Sequence, residues 1–121
     1  MSIRPPAQIA AIVEILGQDD AFDFLYDYGG APIYLAGNPG ARNPLVKRFG
    51  RERVVRLSDA LGGPGNFYVP VAKSWMMRVL ASRGLGRFEI ARRMRVSHVS
   101  VRRVIGRQDH LQLSLFDADE R

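Results

Sequence analysis

RFEIARRMRVSHVSVRRVIG, residues 87–106, places apolar Ile90, small Ala91, apolar Met94 and Val96, and apolar Val101 and Val104 at the spacing of two short helices joined by a tight turn. This is the pattern of a helix-turn-helix, in which two helices cross closely at a small residue and share one small apolar core. Ser97 is suited to cap the second helix, ending a three-residue turn Arg95-Val96-Ser97. Such a turn usually carries glycine where Arg95 stands, because that residue takes positive φ, so Arg95 is expected to be mildly strained or the turn slightly altered. With the apolar residues committed to the core, Ser97, His98, Val99, Arg102 and Arg103 project outward, with Arg107 one turn later, and Ser100 completes the candidate set. Arg102 or Arg103 is suited to pair bidentately with guanine in a major groove, and Val99 to touch a thymine methyl. Arg92, Arg93 and Arg95 are placed for phosphates. Upstream, KSWMMRVLASRG offers Ser74 as an N-cap, an apolar stripe of Trp75, Met76, Val79 and Leu80, and Gly84 as a stop, which predicts a support helix.

The charge distribution agrees with this placement. Residues 1–70 hold seven basic and seven acidic side chains, residues 71–108 ten and one, and residues 109–121 one and four, so the net +6 of the 121-residue chain divides as 0, +9 and −3. A concentrated basic block is the electrostatic footprint of a nucleic-acid surface. There is no cysteine, and His98 and His110 alone cannot complete a zinc site, so no metal or other cofactor is expected. Asp20, Asp23 and Asp27 recur at i, i+3, i+7 but lie opposite Ala21, Phe24, Leu25 and Tyr28, as a polar helix face does. His98 beside Ser97 and Ser100 has no acid partner near in sequence, so no catalytic triad and no enzyme is expected. Gly62-Gly63-Pro64-Gly65 follows a helix and precedes a strand, the reverse of a phosphate-cradling loop. The start of the chain lacks the pattern of a signal peptide, and no run of eighteen apolar residues occurs, so the expectation is a soluble, cytoplasmic, nucleoid-associated protein with no membrane partner.

The neutral front block is an internal repeat. A shift of 33 lays LGQDDAFDFLYDYGG (16–30) on FGRERVVRLSDALGG (49–63): Gly17 meets Gly50, Gly29-Gly30 meet Gly62-Gly63, and Ile12, Leu16, Ala21, Phe24 and Tyr28 meet Leu45, Phe49, Val54, Leu57 and Leu61. Each copy predicts helix, glycine break, helix, Gly-Gly stop and strand, the strands being PIYL (32–35) and NFYVP (66–70). Asp19 or Asp20 is expected to cap the second helix of the first copy, and Asn43-Pro44 to open the second copy. Two short strands are marginal alone, and pairing with the same strands of a second chain would enlarge the sheet, so a homodimer is expected. The fold class is therefore mainly α with a small β element: an N-terminal α/β dimerisation domain over 1–66, a connector at 67–72, a helix-turn-helix domain over 73–108, and an acidic and apolar tail at 109–121.

Residues 12–107 resemble the Mor family of bacteriophage transcription activators. The resemblance rests on LGQDDAFDFLYDYGGAPIYL, NPLVKRFGRERVVRLSDALGGPGNFYVP and IARRMRVSHVSVRRVI in that order, with the repeated Gly-Gly before an aromatic strand as its more specific element. It implies an intertwined dimer with a C-terminal helix-turn-helix in the major groove of double-stranded DNA. It also implies that the strand connector approaches the minor groove, which assigns Asn66 and Tyr68 to DNA contact. The expected function is a dimeric transcription regulator on a palindromic site, an activator recruiting RNA polymerase. A phage DNA-packaging adaptor is the alternative of a different class, and would need a ring-forming segment. In the tail, Gln112, Leu113, Ser114, Leu115 and Phe116 match the short peptide by which bacterial proteins dock on the replicative sliding clamp, which offers a replication-coupled adaptor as a further alternative.

Overall fold

A computed structural model describes residues 2–106. They divide into two compact units, Ser2–Ala72 and the segment from Lys73 onward. The first unit runs from a 3₁₀ turn at Ala7–Ile9 through α1 (Ala10–Leu16), α2 (Gln18–Tyr28), β1 (Pro32–Leu35), α3 (Pro44–Phe49), α4 (Arg51–Ala60) and β2 (Gly65–Tyr68). The second holds α5 (Lys73–Ser82), α6 (Arg87–Met94), α7 (His98–Val101) and a π-helical segment at Arg102–Gly106 that continues α7. The described chain is mainly helical with one small two-stranded sheet, the fold class the periodicities predict.

The helical part of the repeat is present residue for residue. Gly17 (φ 83°, ψ 163°) and Gly50 (φ 91°, ψ 150°) take the same left-handed hinge, so that each short helix is followed at once by a longer one. Ile12 and Leu45, Leu16 and Phe49, Ala21 and Val54, and Phe24 and Leu57 are all buried. Asn43 caps α3, its Oδ1 accepting from the N–H groups of Leu45 at 2.8 Å and Val46 at 3.3 Å. The capping role expected of Asp19 or Asp20 belongs to neither. The hinge makes Gly17 the cap of α2 and leaves both aspartates in its first turn, where they face the positive end of the helix dipole. Each Gly-Gly pair needs both glycines: Gly30 and Gly62 have positive φ, while a Cβ on Gly29 would overlap the Leu25 carbonyl and one on Gly63 the buried Ser58 Oγ.

The strands obey a different shift. β1 alternates exposed, half-buried, exposed, buried over 32–35, and the same pattern recurs over 66–69, a displacement of 34. Side chains alternate with period 2, so a one-residue offset would turn each strand over. The equivalent pairs are therefore Tyr34 with Tyr68 and Leu35 with Val69. β1 and β2 pair antiparallel with each other, Pro32 opposite Tyr68 and Tyr34 opposite Asn66. Pro32, Tyr34, Asn66 and Tyr68 share the exposed face, while Leu35 and Val69 are buried. Residues 67–72, expected as a connector, are held in this unit: Phe67 and Tyr68 lie in β2, and Val69 exchanges backbone bonds with Gly30 at 2.8 Å and Ala31 at 3.0 Å.

Two arginines tie one repeat copy to the other. Arg53 donates to Asp20 at 2.6 Å and to the Leu16 carbonyl at the end of α1, with its guanidinium near the Phe49 ring. Arg48 pairs with Asp27, and that contact raises the Arg48 pKa further. Two of the three aspartates in the α2 row are thus structural partners. Among the described residues no group of three or more side chains is arranged to hold a metal ion, and no helix is long and apolar enough to cross a membrane.

Candidate nucleic-acid interface

The second unit is built on a buried set of Trp75, Met76, Met77, Val79 and Leu80 from α5, Ile90, Ala91 and Met94 from α6, and Val101 and Ile105. α5 begins at Lys73, so Ser74 lies in its first turn and is not its cap. Val96 and Val104 are only half-buried. Ile105, four residues after Val101, takes the deeper position expected of Val104 and fixes the rotation of the second helix.

α5 and α6 end in the same backbone motif. At the end of α5 the Leu85 N–H donates to the Leu80 carbonyl at 3.3 Å, with Gly84 at φ 92° between them. At the end of α6 the Val96 N–H donates to the Ala91 carbonyl at 3.1 Å, with Arg95 at φ 57°, ψ 44° in the equivalent place. These are Schellman turns, which glycine normally closes. Arg95 therefore occupies the left-handed conformation itself and leaves the turn unaltered; among the described non-glycine residues it alone has positive φ. Ser97 caps α7, its Oγ accepting from the Ser100 N–H at 3.1 Å and donating to Ser100 Oγ at 3.1 Å.

Beyond this turn Arg92, Arg93, Arg95, Ser97, His98, Val99, Arg102 and Arg103 are exposed, and Ser100 is half-buried. The hydroxyls of Ser97 and Ser100 are engaged with each other and the cap. Arg93 lies 3.6 Å from Glu89 across one helical turn. The spacing divides the recognition helix into two columns, His98 with Arg102 and Val99 with Arg103. Arg102 helps line a cavity of about 190 Å³ with Arg87, Leu85, Ile90, Val101, Ile105 and Gly106, so its column lies toward the start of α6. Residues 73–106 carry nine basic side chains against one acidic, Glu89. An exposed helix with this charge, rotated by a fixed core, can present guanidinium forks to phosphates and base edges.

Asn66 and Tyr68 belong to the other unit, on the open face of its sheet, and Tyr34 stands beside them there. Tyr34 and Tyr68 occupy equivalent places in PIYL and NFYVP, and only Tyr68 is expected at DNA. Arg107 and the tail residues Gln112, Leu113, Leu115 and Phe116 lie outside the described residues. Phe88, 57% exposed at the start of α6, also carries no weight in a template that scores only core positions.

Arg95 leads to a separable expectation. Arg95→Gly relieves the left-handed backbone and should raise stability to thermal unfolding by about 1 kcal/mol. The same change should weaken binding to duplex DNA and lower the salt dependence by about 1.8 in slope for the expected dimer, if Arg95 contacts a phosphate in each protomer. A variant that is more stable with an unchanged slope would remove Arg95 from the interface. No family model matches the chain, and no match is found among curated proteins or solved structures.

Proposed function

We propose that the chain is a sequence-specific DNA-binding transcription regulator of the phage or prophage kind, acting as a homodimer on a palindromic site in the bacterial cytoplasm and activating through contact with RNA polymerase. The observation that carries this reading is the left-handed Arg95 turn, which preserves a helix-turn-helix and leaves Val99, Arg102 and Arg103 exposed on its second helix. The +9 charge of residues 71–108 supports the choice of a polyanionic partner. The resemblance to the Mor family supports the regulatory role, and implies that Asn66 and Tyr68 approach the minor groove. For the dimer, the support is a sheet that has two strands among the described residues, each pairing on one side with the other. Pairing at one edge with a second copy would give four strands, a size at which small sheets are stable.

Selection from a pool of randomised duplexes tests this reading. The expected product is an inverted repeat whose half-sites lie about one helical turn, roughly 34 Å, apart. Failure to enrich any sequence contradicts it. Light scattering that gives a ring-sized mass instead of two chains assigns the protein to the packaging adaptors.

The tail adds a second reading on a separate observation, the five-residue match at Gln112–Phe116. There a glutamine amide and a Leu-Phe pair are the two anchors that a sliding-clamp pocket accepts. A peptide covering residues 109–121 should bind purified clamp at about micromolar Kd, as a small apolar anchor does. Leu115→Ala with Phe116→Ala should abolish that binding; equal binding by the double variant contradicts the reading.

A further inference from the structure

The start of α6 carries side chains that the helix-turn-helix core does not need. Phe88 is 57% exposed, although a buried phenylalanine would contribute to stability. Its ring is nonetheless held in place: the His98 ring lies 5.1 Å away at 45°, and the Arg87 guanidinium lies 4.9 Å over its face. His98 is the first residue of the recognition helix, so the contact brings the starts of the two helices together at one edge. Arg102, four residues after His98, lines the same cavity as Arg87 beside that edge. Arg87, Phe88 and His98 thus form a strip of cation, aromatic ring and imidazole, with Arg102 as a second cation on the cavity next to it.

We infer that this strip is a second contact surface for duplex DNA, gripping the sugar-phosphate backbone at the wall of the groove that Val99 and Arg103 enter. The inference deepens the DNA-binding reading and rests on it. A backbone alternates a charged phosphate with an apolar deoxyribose edge. A stacked guanidinium keeps its N–H edge free to donate to phosphate oxygens while its face stays on the ring. The ring beside it offers apolar surface to the neighbouring sugar. Because Phe88 is clamped between Arg87 and His98 before DNA arrives, little ordering is left to be done on binding.

The test is fluorescence anisotropy with the full chain and a mixed-sequence duplex of about 30 base pairs at several salt concentrations. Phe88→Ala should weaken binding about tenfold at every salt concentration with an unchanged slope, since the lost contact is apolar, and Phe88→Tyr should restore it. Arg87→Gln should lower the slope by about 1.8, the loss of one phosphate contact in each protomer of the dimer. If both variants melt like the parent and bind like it, while Arg103→Ala weakens binding to a selected site, the strip is overturned and the DNA-binding reading stands. If the parent itself binds no duplex at low salt, both fail together. Loss of transcription with DNA binding intact in Phe88→Ala makes the strip a protein-contact surface and overturns the inference as well.

Discussion

Arg103→Ala should reduce affinity for a selected operator by about 1–3 kcal/mol, roughly 5- to 150-fold, and relax preference at a single base position. Val101 and Ile105, 1% and 6% exposed, lock the recognition helix against the core, so Arg103 leaves it in a fixed direction beside the exposed Val99. A bidentate contact to guanine in the major groove is worth that much because the guanidinium fork matches two acceptors at once. Arg102→Ala should differ in kind. Arg102 lines a cavity together with Arg87, away from the Val99 and Arg103 column, so its loss should weaken binding to all sequences alike. Competition titrations against single-base variants of the operator distinguish the two. Uniform weakening by Arg103→Ala would make Arg103 a phosphate contact as well.

The largest effect on stability should come from Phe24→Ala. Phe24 has no exposed surface, and its ring meets Tyr28 at 5.5 Å and, edge-on, Phe49 of the other repeat copy at 6.0 Å. Truncating a buried phenylalanine removes its transfer free energy and leaves a cavity, at a cost of about 3–5 kcal/mol. Domains of this size are stable by only about 5–15 kcal/mol, so the variant should lose a large share of its resistance to urea. If the first unit carries the proposed dimer contact, light scattering of the same variant should show a fall toward the mass of one chain. A loss below about 1 kcal/mol would mean that the two copies do not depend on this aromatic contact.

Local signals in the sequence were sufficient for local features. The Asn43 and Ser97 caps could be read directly, because each needs only a polar side chain two or three residues before the N–H group it serves. The helical repeat was legible for the same reason, since apolar spacing and the hinge glycines recur at 33. Asp19, Asp20 and Ser74 show the opposite case: a good capping residue does not cap where the cap position falls two or three residues earlier. The two strands are legible from their aromatic and branched residues at 32–35 and 66–70, close to the observed spans, whereas their pairing with each other is not, because strand partners are chosen by the whole unit and by no residue pattern within the strand. At the candidate interface, exposure of Arg92, Arg95, His98, Val99, Arg102 and Arg103 follows from the core positions. Phe88 does not, because only contact with Arg87 and His98 distinguishes it from a core residue.

The proposed binding of the phosphate backbone of duplex DNA by the basic block of residues 71–108 is read out by the affinity of the full chain for one duplex across a salt series. A dimer that neutralises about eight phosphates should give log K falling against log salt with a slope near −7. A slope near zero, or no binding at low salt, would contradict the claim.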